Sequence, residues 1–206
     1  SSGRSHFVVN CGVDTFGAED FRPLSRSTAA HSTATLNDTS SARFALPHGV
    51  SALIGTPLVD GPRQVACRRL DSAGIQAFVA RHDGYVARFG LYHERELSLS
   101  ANGEVLEGID RVFRKGGEIA HANGRDNVAV RFHLHPDVAL FENNRHGLVL
   151  AGADGERWEF SCEEMAPQVE DSLFFAGIGG PRRSRQIVFS YRASEHPEIH
   201  WRFLRL

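Results

Sequence analysis

The sequence predicts an all-β fold, an antiparallel two-sheet β-sandwich, and three observations carry that expectation. No stretch places apolar residues at helical spacing. Short runs of alternating apolar and polar residues fill the chain instead. Between them stand Asp83-Gly84, Asn102-Gly103, Asn123-Gly124 and Asp154-Gly155, dipeptides that tolerate the positive φ of tight hairpin turns. With 206 residues, 41% of them hydrophobic, the chain can build one large sandwich, and no shift in composition marks a second domain.

Taken in order, residues 6–12 read as a first strand. Residues 13–25 lack periodicity, hold Gly17, Glu19, Asp20 and Pro23, and read as a loop. Residues 27–36 read as a second strand, with Ala30, Ala34 and Leu36 on one face and Ala29, His31, Thr33 and Thr35 on the other. Residues 47–62 suggest another loop. Runs 75–80 and 85–92 flank Asp83-Gly84, and 98–106 is the clearest hairpin. Residues 127–135 alternate most cleanly. Val128, Val130, Phe132 and Leu134 face one way, and Arg131, His133 and His135 the other. A slip of one residue would exchange the two faces. Runs 147–150 and 158–160 join through Asp154-Gly155, and 186–191 and 199–206 supply the last two strands.

Composition excludes several classes of function. A net charge of −2 and a pI near 6.6 leave no basic surplus for nucleic acid. The short cluster Arg182, Arg183 and Arg185 reads as a solvated turn with room for a local anionic-sugar contact. No run of about eighteen apolar residues is present, so neither a transmembrane helix nor a membrane partner is expected. The three cysteines, Cys11, Cys67 and Cys162, are widely spaced and lie in apolar patterns, which suggests buried thiols rather than a disulfide framework. Glu163-Glu164 and the pair Glu94 and Glu96 read as solvated faces, not as a glycosidase pair. Neither a nucleophile elbow nor a phosphate loop is present.

Two groups of residues could carry chemistry. Histidines two apart on a strand, as His133 and His135 are, can share a ligand or metal. With Arg131 beside them they also suit the carboxylate of an acidic sugar. The plainer alternative is decoration of an outer sheet face. Tyr85, following His82-Asp83-Gly84 and followed by Tyr92-His93-Glu94-Arg95, sits near the equipment of an elimination reaction, a base and a group that neutralises a carboxylate. An aromatic just after a turn is nonetheless ordinary core packing, and that is the expectation here.

The runs His6-Phe7-Val8-Val9-Asn10-Cys11-Gly12 and Arg26-Ser27-Thr28-Ala29-Ala30-His31-Ser32-Thr33 resemble the C-terminal β domain of heparinase II/III-like polysaccharide lyases, as do residues 82–85 and 92–95. The resemblance covers most of the chain and is specific around residues 4–45. It implies that Asn10 and His31 lie on adjacent strands and converge on zinc or another divalent cation, with Arg26, Arg131, His133 and His135 toward the substrate. Asn10 stands where the family usually carries aspartate, and an amide brings no charge to the ion. A further histidine of the family lies upstream, so an ion is expected in the full-length protein and no tightly bound one in this stretch alone.

The resemblance further implies a fragment of a larger protein whose N-terminal helical toroid is absent from this sequence. The groove for an acidic, uronate-containing polysaccharide would run between toroid and sheets, with β-elimination there, the catalytic tyrosine on the toroid and a periplasmic location. It places no catalytic residue in this chain. The alternative is a non-catalytic carbohydrate-binding or packing module with a degenerate metal position.

Overall fold

The computed structural model describes residues 1–13, 22–45, 57–72, 74–142, 147–177 and 179–206. Its strands are β1 (Val8–Val9), β2 (Ala34–Leu36), β3 (Arg43–Phe44), β4 (Leu58–Asp60), β5 (Val65–Arg69), β6 (Gln76–His82), β7 (Leu91–Leu99) and β8 (Val105–Arg114). They continue as β9 (Asn127–Leu134), β10 (Ala139–Glu142), β11 (Leu148–Ala151), β12 (Arg157–Cys162), β13 (Gln168–Phe174), β14 (Arg182–Arg192) and β15 (Glu198–Arg205). Five form one antiparallel sheet in the order β1-β9-β14-β13, with β2 also on β9. Eight form a second in the order β10-β11-β12-β15-β8-β7-β6-β5, and β3 and β4 make a small ribbon. The two large sheets pack face to face as the expected sandwich.

The alternation of residues 127–135 positions this core. Val128, Val130, Phe132 and Leu134 are all at most 2% exposed. The Phe132 ring meets Phe160 at 5.1 Å and Trp201 at 4.9 Å, both edge to face, so the five-stranded sheet grips the eight-stranded one through aromatic pairs. Gly108 lies opposite Trp201 across β8 and β15, and a Cβ there would fall 2.0 Å from the indole. The missing side chain lets the indole lie flat across β8.

Several expectations are corrected. Only Ala34–Leu36 of residues 27–36 is a strand, because Thr28–Ala30 coil into a 3-10 turn. Hydroxyls favour such local bonding: Ser27 Oγ donates to the Leu24 carbonyl and Ser25 Oγ to that of Arg22. Ala30, Ala34 and Leu36 are buried, yet so is Thr35, which the alternation set on the other face. Residues 85–92 are not one run, since a helical turn, Val86–Phe89, precedes β7. Arg182, Arg183 and Arg185 belong to β14 rather than to a turn.

The larger sheet outreaches the smaller. All five residues of β5 are exposed, and with them Cys67, which is not the buried thiol expected. Cys11 is buried and Cys162 half-buried. The loop expected at residues 47–62 falls partly outside the described residues, and its end forms β4. Of the loop expected at 13–25, residues 14–21 also fall outside them, and Arg22–Ser25 form a helical turn.

Candidate functional site

β9 carries polar side chains on the face turned away from the core. Arg131 there donates to Thr35 Oγ1. His133, only 4% exposed, has both nitrogens engaged. Its Nε2 lies 2.8 Å from the Ala29 carbonyl, an acceptor only, so Nε2 carries the proton. Nδ1 then accepts from Ser172 Oγ at 2.9 Å, with Cys11 Sγ at 3.3 Å. Burial lowers the His133 pKa despite the Ala29 bond. His135 is more open, its ring against Phe174 at 5.2 Å and Nδ1 3.6 Å from Asp137.

Above these residues opens a cleft of about 500 Å³ whose lining includes Cys11, Arg131, His133, Ser172, Arg183 and Gln186. Two arginines thus face one hollow. Arg183 is exposed and makes no ion pair among the described residues. Gln186 Oε1 is buried without a hydrogen-bond partner among them, while its Nε2 donates to Glu170. His135 does not line this cleft. Arg26 lies elsewhere, its guanidinium 3.6 Å above the Phe44 ring.

Asn10 and His31 are not on adjacent strands. β1 and β2 lie end to end along the same edge of β9, β1 pairing with residues 133–134 and β2 with 128–130. His31 caps the 3-10 turn between them, and Asn10 follows β1. The segments meet one residue further on, where Asn10 Oδ1 accepts from the Ser32 amide at 3.0 Å. His31 is half-buried, which lowers its pKa, and it joins no group of three metal-binding side chains among the described residues. One imidazole and one amide oxygen already holding an amide proton do not fit a closed zinc site, which takes four ligands.

A second polar group, illegible as a unit in the sequence, lies between the sheets. Asp110 is fully buried and accepts four bonds: from His93 Nε2 at 2.7 Å, Arg95 Nε and Nη2 at 2.9 Å each, and Trp201 Nε1 at 2.8 Å. Burial alone would raise its pKa. The Arg95 charge and the His93 bond outweigh that and hold the carboxyl well below the usual carboxylate range. Since His93 Nε2 donates to Asp110, His93 Nδ1 accepts from His82 Nε2 at 3.3 Å. His82 Nδ1 in turn accepts from the Gly84 amide. Burial, reinforced by His93, lowers the His82 pKa to about 4.

Tyr85 closes this group as core packing. It is 0% exposed, its hydroxyl donates to the Ala34 carbonyl at 2.9 Å, and burial pushes its pKa up to about 12. A phenol so placed serves as no base. The residues that sequence reasoning missed are Asp110, Ser32 and Ser172. Asp110 left one trace, a lone carboxylate at an inward position of an alternating run.

The architecture defines an antiparallel β-sandwich stitched by a buried carboxylate network, with a polar cleft on its outer face whose charged lining is Arg131, Arg183 and Asp171. The family described as heparinase II/III-like, C-terminal, matches residues 1–202, and the chain belongs to it. FtsZ-localized protein C of Caulobacter vibrioides is 29% identical over 202 residues, covering 95% of this chain and 34% of that protein. The chain thus spans about a third of that relative. A solved heparinase III shares the fold with a TM-score of 0.64 at 14% identity, over 97% of this chain and 28% of the other. An α-N-acetylgalactosaminidase of Bifidobacterium bifidum, solved with GalNAc, aligns at a TM-score of 0.51 and 12% identity, over 84% of this chain and 30% of that one.

Proposed function

We propose that this chain is the β-sheet part of a larger protein that binds an acidic, uronate-containing polysaccharide and cleaves it by β-elimination. Its own share is to line one wall of the sugar groove. The observation that supports this reading is the cleft over β9, β13 and β14, where Arg131 and Arg183 face one hollow beside Gln186 Oε1. Guanidinium groups suit a uronate carboxylate or a sulfate through charge-assisted bonds. The unpaired amide oxygen suits a sugar hydroxyl. The proton-abstracting base comes from outside this chain, because Tyr85, His82, His93 and Asp110 are committed to one another or to the backbone. A divalent cation at Asn10 and His31 would need further ligands from the rest of the protein.

A non-catalytic carbohydrate-binding or packing module is the second reading. One observation favours it: the curated relative is named for localisation to FtsZ, not for a sugar. The test offers heparin, heparan sulfate, chondroitin and alginate to the intact protein, reading binding by calorimetry and cleavage by absorbance of the unsaturated uronate. Binding with new absorbance supports the lyase. Binding without it supports the module, and no binding to any of the four sinks both sugar readings.

A further inference from the structure

The end of β12, beside the start of β15, holds a cluster of donors that the sugar cleft does not use. After β12 the chain turns back over β15. The Glu163 amide donates to the His200 carbonyl at 3.0 Å, and the His200 amide donates to Glu164 Oε2 at 2.8 Å. These bonds fix residues far apart in sequence against one another. The ligand atoms of Glu163, Glu164 and His200 all lie within 4.8 Å of one another. His200 Nδ1 sits 2.5 Å from Glu164 Oε1, while its other nitrogen, Nε2, faces Glu198 Oε1 at 3.5 Å. Cys162 Sγ donates to Glu164 Oε2 at 3.3 Å and helps to orient that carboxylate. Glu164 is therefore not freely solvated as expected from sequence, whereas Glu163 is exposed.

We propose that Glu163, Glu164 and His200 form a binding site for one divalent transition-metal ion, zinc being the probe, separate from the Asn10 and His31 position. The chemistry of the donors supports it. Metal-bound histidines ordinarily give one nitrogen to the ion and hold a carboxylate with the other N–H, and Glu198 stands where that second carboxylate belongs. The proton now shared between His200 Nδ1 and Glu164 Oε1 occupies the place of the ion. Binding moves the Nδ1 proton to Nε2, where Glu198 accepts it, and Glu163, exposed and without a side-chain partner among the described residues, closes on the ion as third ligand. Two carboxylates match the charge of a divalent cation, and three protein ligands leave a position for water.

An independent sign comes from the core side. Tyr191 is 9% exposed, and its hydroxyl has no hydrogen-bond partner among the described residues. Phe189 packs on Phe160 at 5.7 Å, and Tyr191 lies two residues further along β14, also buried. Besides burial and Asp110, the charge of Glu164 acts on that hydroxyl. A buried phenol lacking a partner at this end of the core points to a missing polar group, which a coordinated ion with its water supplies.

The test is zinc titration of the chelator-stripped intact protein by calorimetry. One zinc per chain should bind, in wild type and equally in His31→Ala. Glu163→Gln, which disturbs no hydrogen bond of the fold, should weaken it at least about tenfold. His200→Gln should abolish it, with the circular dichroism of both variants unchanged. Absence of zinc binding at millimolar concentration, undiminished affinity in Glu163→Gln, or loss of binding in His31→Ala would each overturn the site. Sugar binding plays no part in the readout, so this result stands apart from the polysaccharide reading.

Discussion

The Ser32 carbonyl accepts a 2.6 Å hydrogen bond from Arg95 Nη1, and that one contact joins the motif around His31 to the buried Asp110 network. The same serine bridges two strands through its hydroxyl, donating to the Val9 carbonyl at 2.6 Å and accepting from the His133 amide at 2.9 Å. Its amide holds Asn10. Ser32 is thus the joint where β1, β9 and the inter-sheet network meet.

Ser32→Ala removes the hydroxyl bridge and leaves a carbonyl and an amide without their partner. The expected loss is about 1–3 kcal/mol of stability. Chemical denaturation checks it, and an unchanged midpoint would show that water replaces the hydroxyl.

Asp110→Asn takes the charge from beneath Arg95, whose side chain is only 17% exposed. Breaking such a pair by removing one partner typically costs about 3–5 kcal/mol. Urea unfolding should reveal a loss of that size, together with a change in tryptophan fluorescence as Trp201 loses its acceptor. A loss under about 1 kcal/mol would mean that the network is not held by charge.

Acid should destabilise the fold in two windows. His82 has its pKa lowered from 6.5 to about 4, so between those values the unfolded chain binds more protons and stability falls as pH drops. His133, His31 and His135 shift in the same direction and steepen the fall. Asp110, lowered in the fold, contributes stability above its unfolded pKa of about 3.9, and loses it as pH falls further through the folded value. His82→Gln should flatten the first window and leave the second. Melting temperatures measured from about pH 7 down to about pH 2, through the first window and into the second, would contradict this if the variant kept the full slope.

Arg183→Ala should weaken binding of an acidic oligosaccharide by about 1–3 kcal/mol and leave the melting temperature unchanged, since Arg183 makes no ion pair among the described residues. Arg131→Ala should weaken binding similarly but also lower stability, because it loses Thr35. A neutral oligosaccharide serves as control. Equal affinity of wild type and both variants for the acidic sugar would remove the arginines from the binding wall.

What the sequence disclosed follows from locality. Residues 127–135 declare their two faces because neighbours alternate, and Asn102-Gly103 declares its turn because Gly103 takes a φ of +71°. Residues 27–36 misled because alternating small residues suit a strand and a 3-10 turn alike, and the hydroxyls decide through backbone bonds that no periodicity records. Adjacency of Asn10 and His31 failed for a related reason: both segments sit on β9 rather than on each other. Asp110 was invisible as a centre because its donors come from residues 93, 95 and 201. Cys67 misled because an alternating strand at the overhanging end of a sheet has no second layer to bury it.

The placement of β15 governs the order in which this protein can assemble. This strand lies in the interior of the eight-stranded sheet, between β12 and β8, and β14 likewise completes the partner sheet beside β9. Neither sheet can close until β14 and β15 have left the ribosome, given that domains fold as units once their chain has emerged. Contacts of such long sequence separation also slow the search for the native state, so refolding belongs on the millisecond-to-second scale of β-sandwiches rather than that of helical bundles. A nascent chain stalled before Glu198 would expose the facing edges of β8 and β12 at once, and those edges are where aggregation would begin.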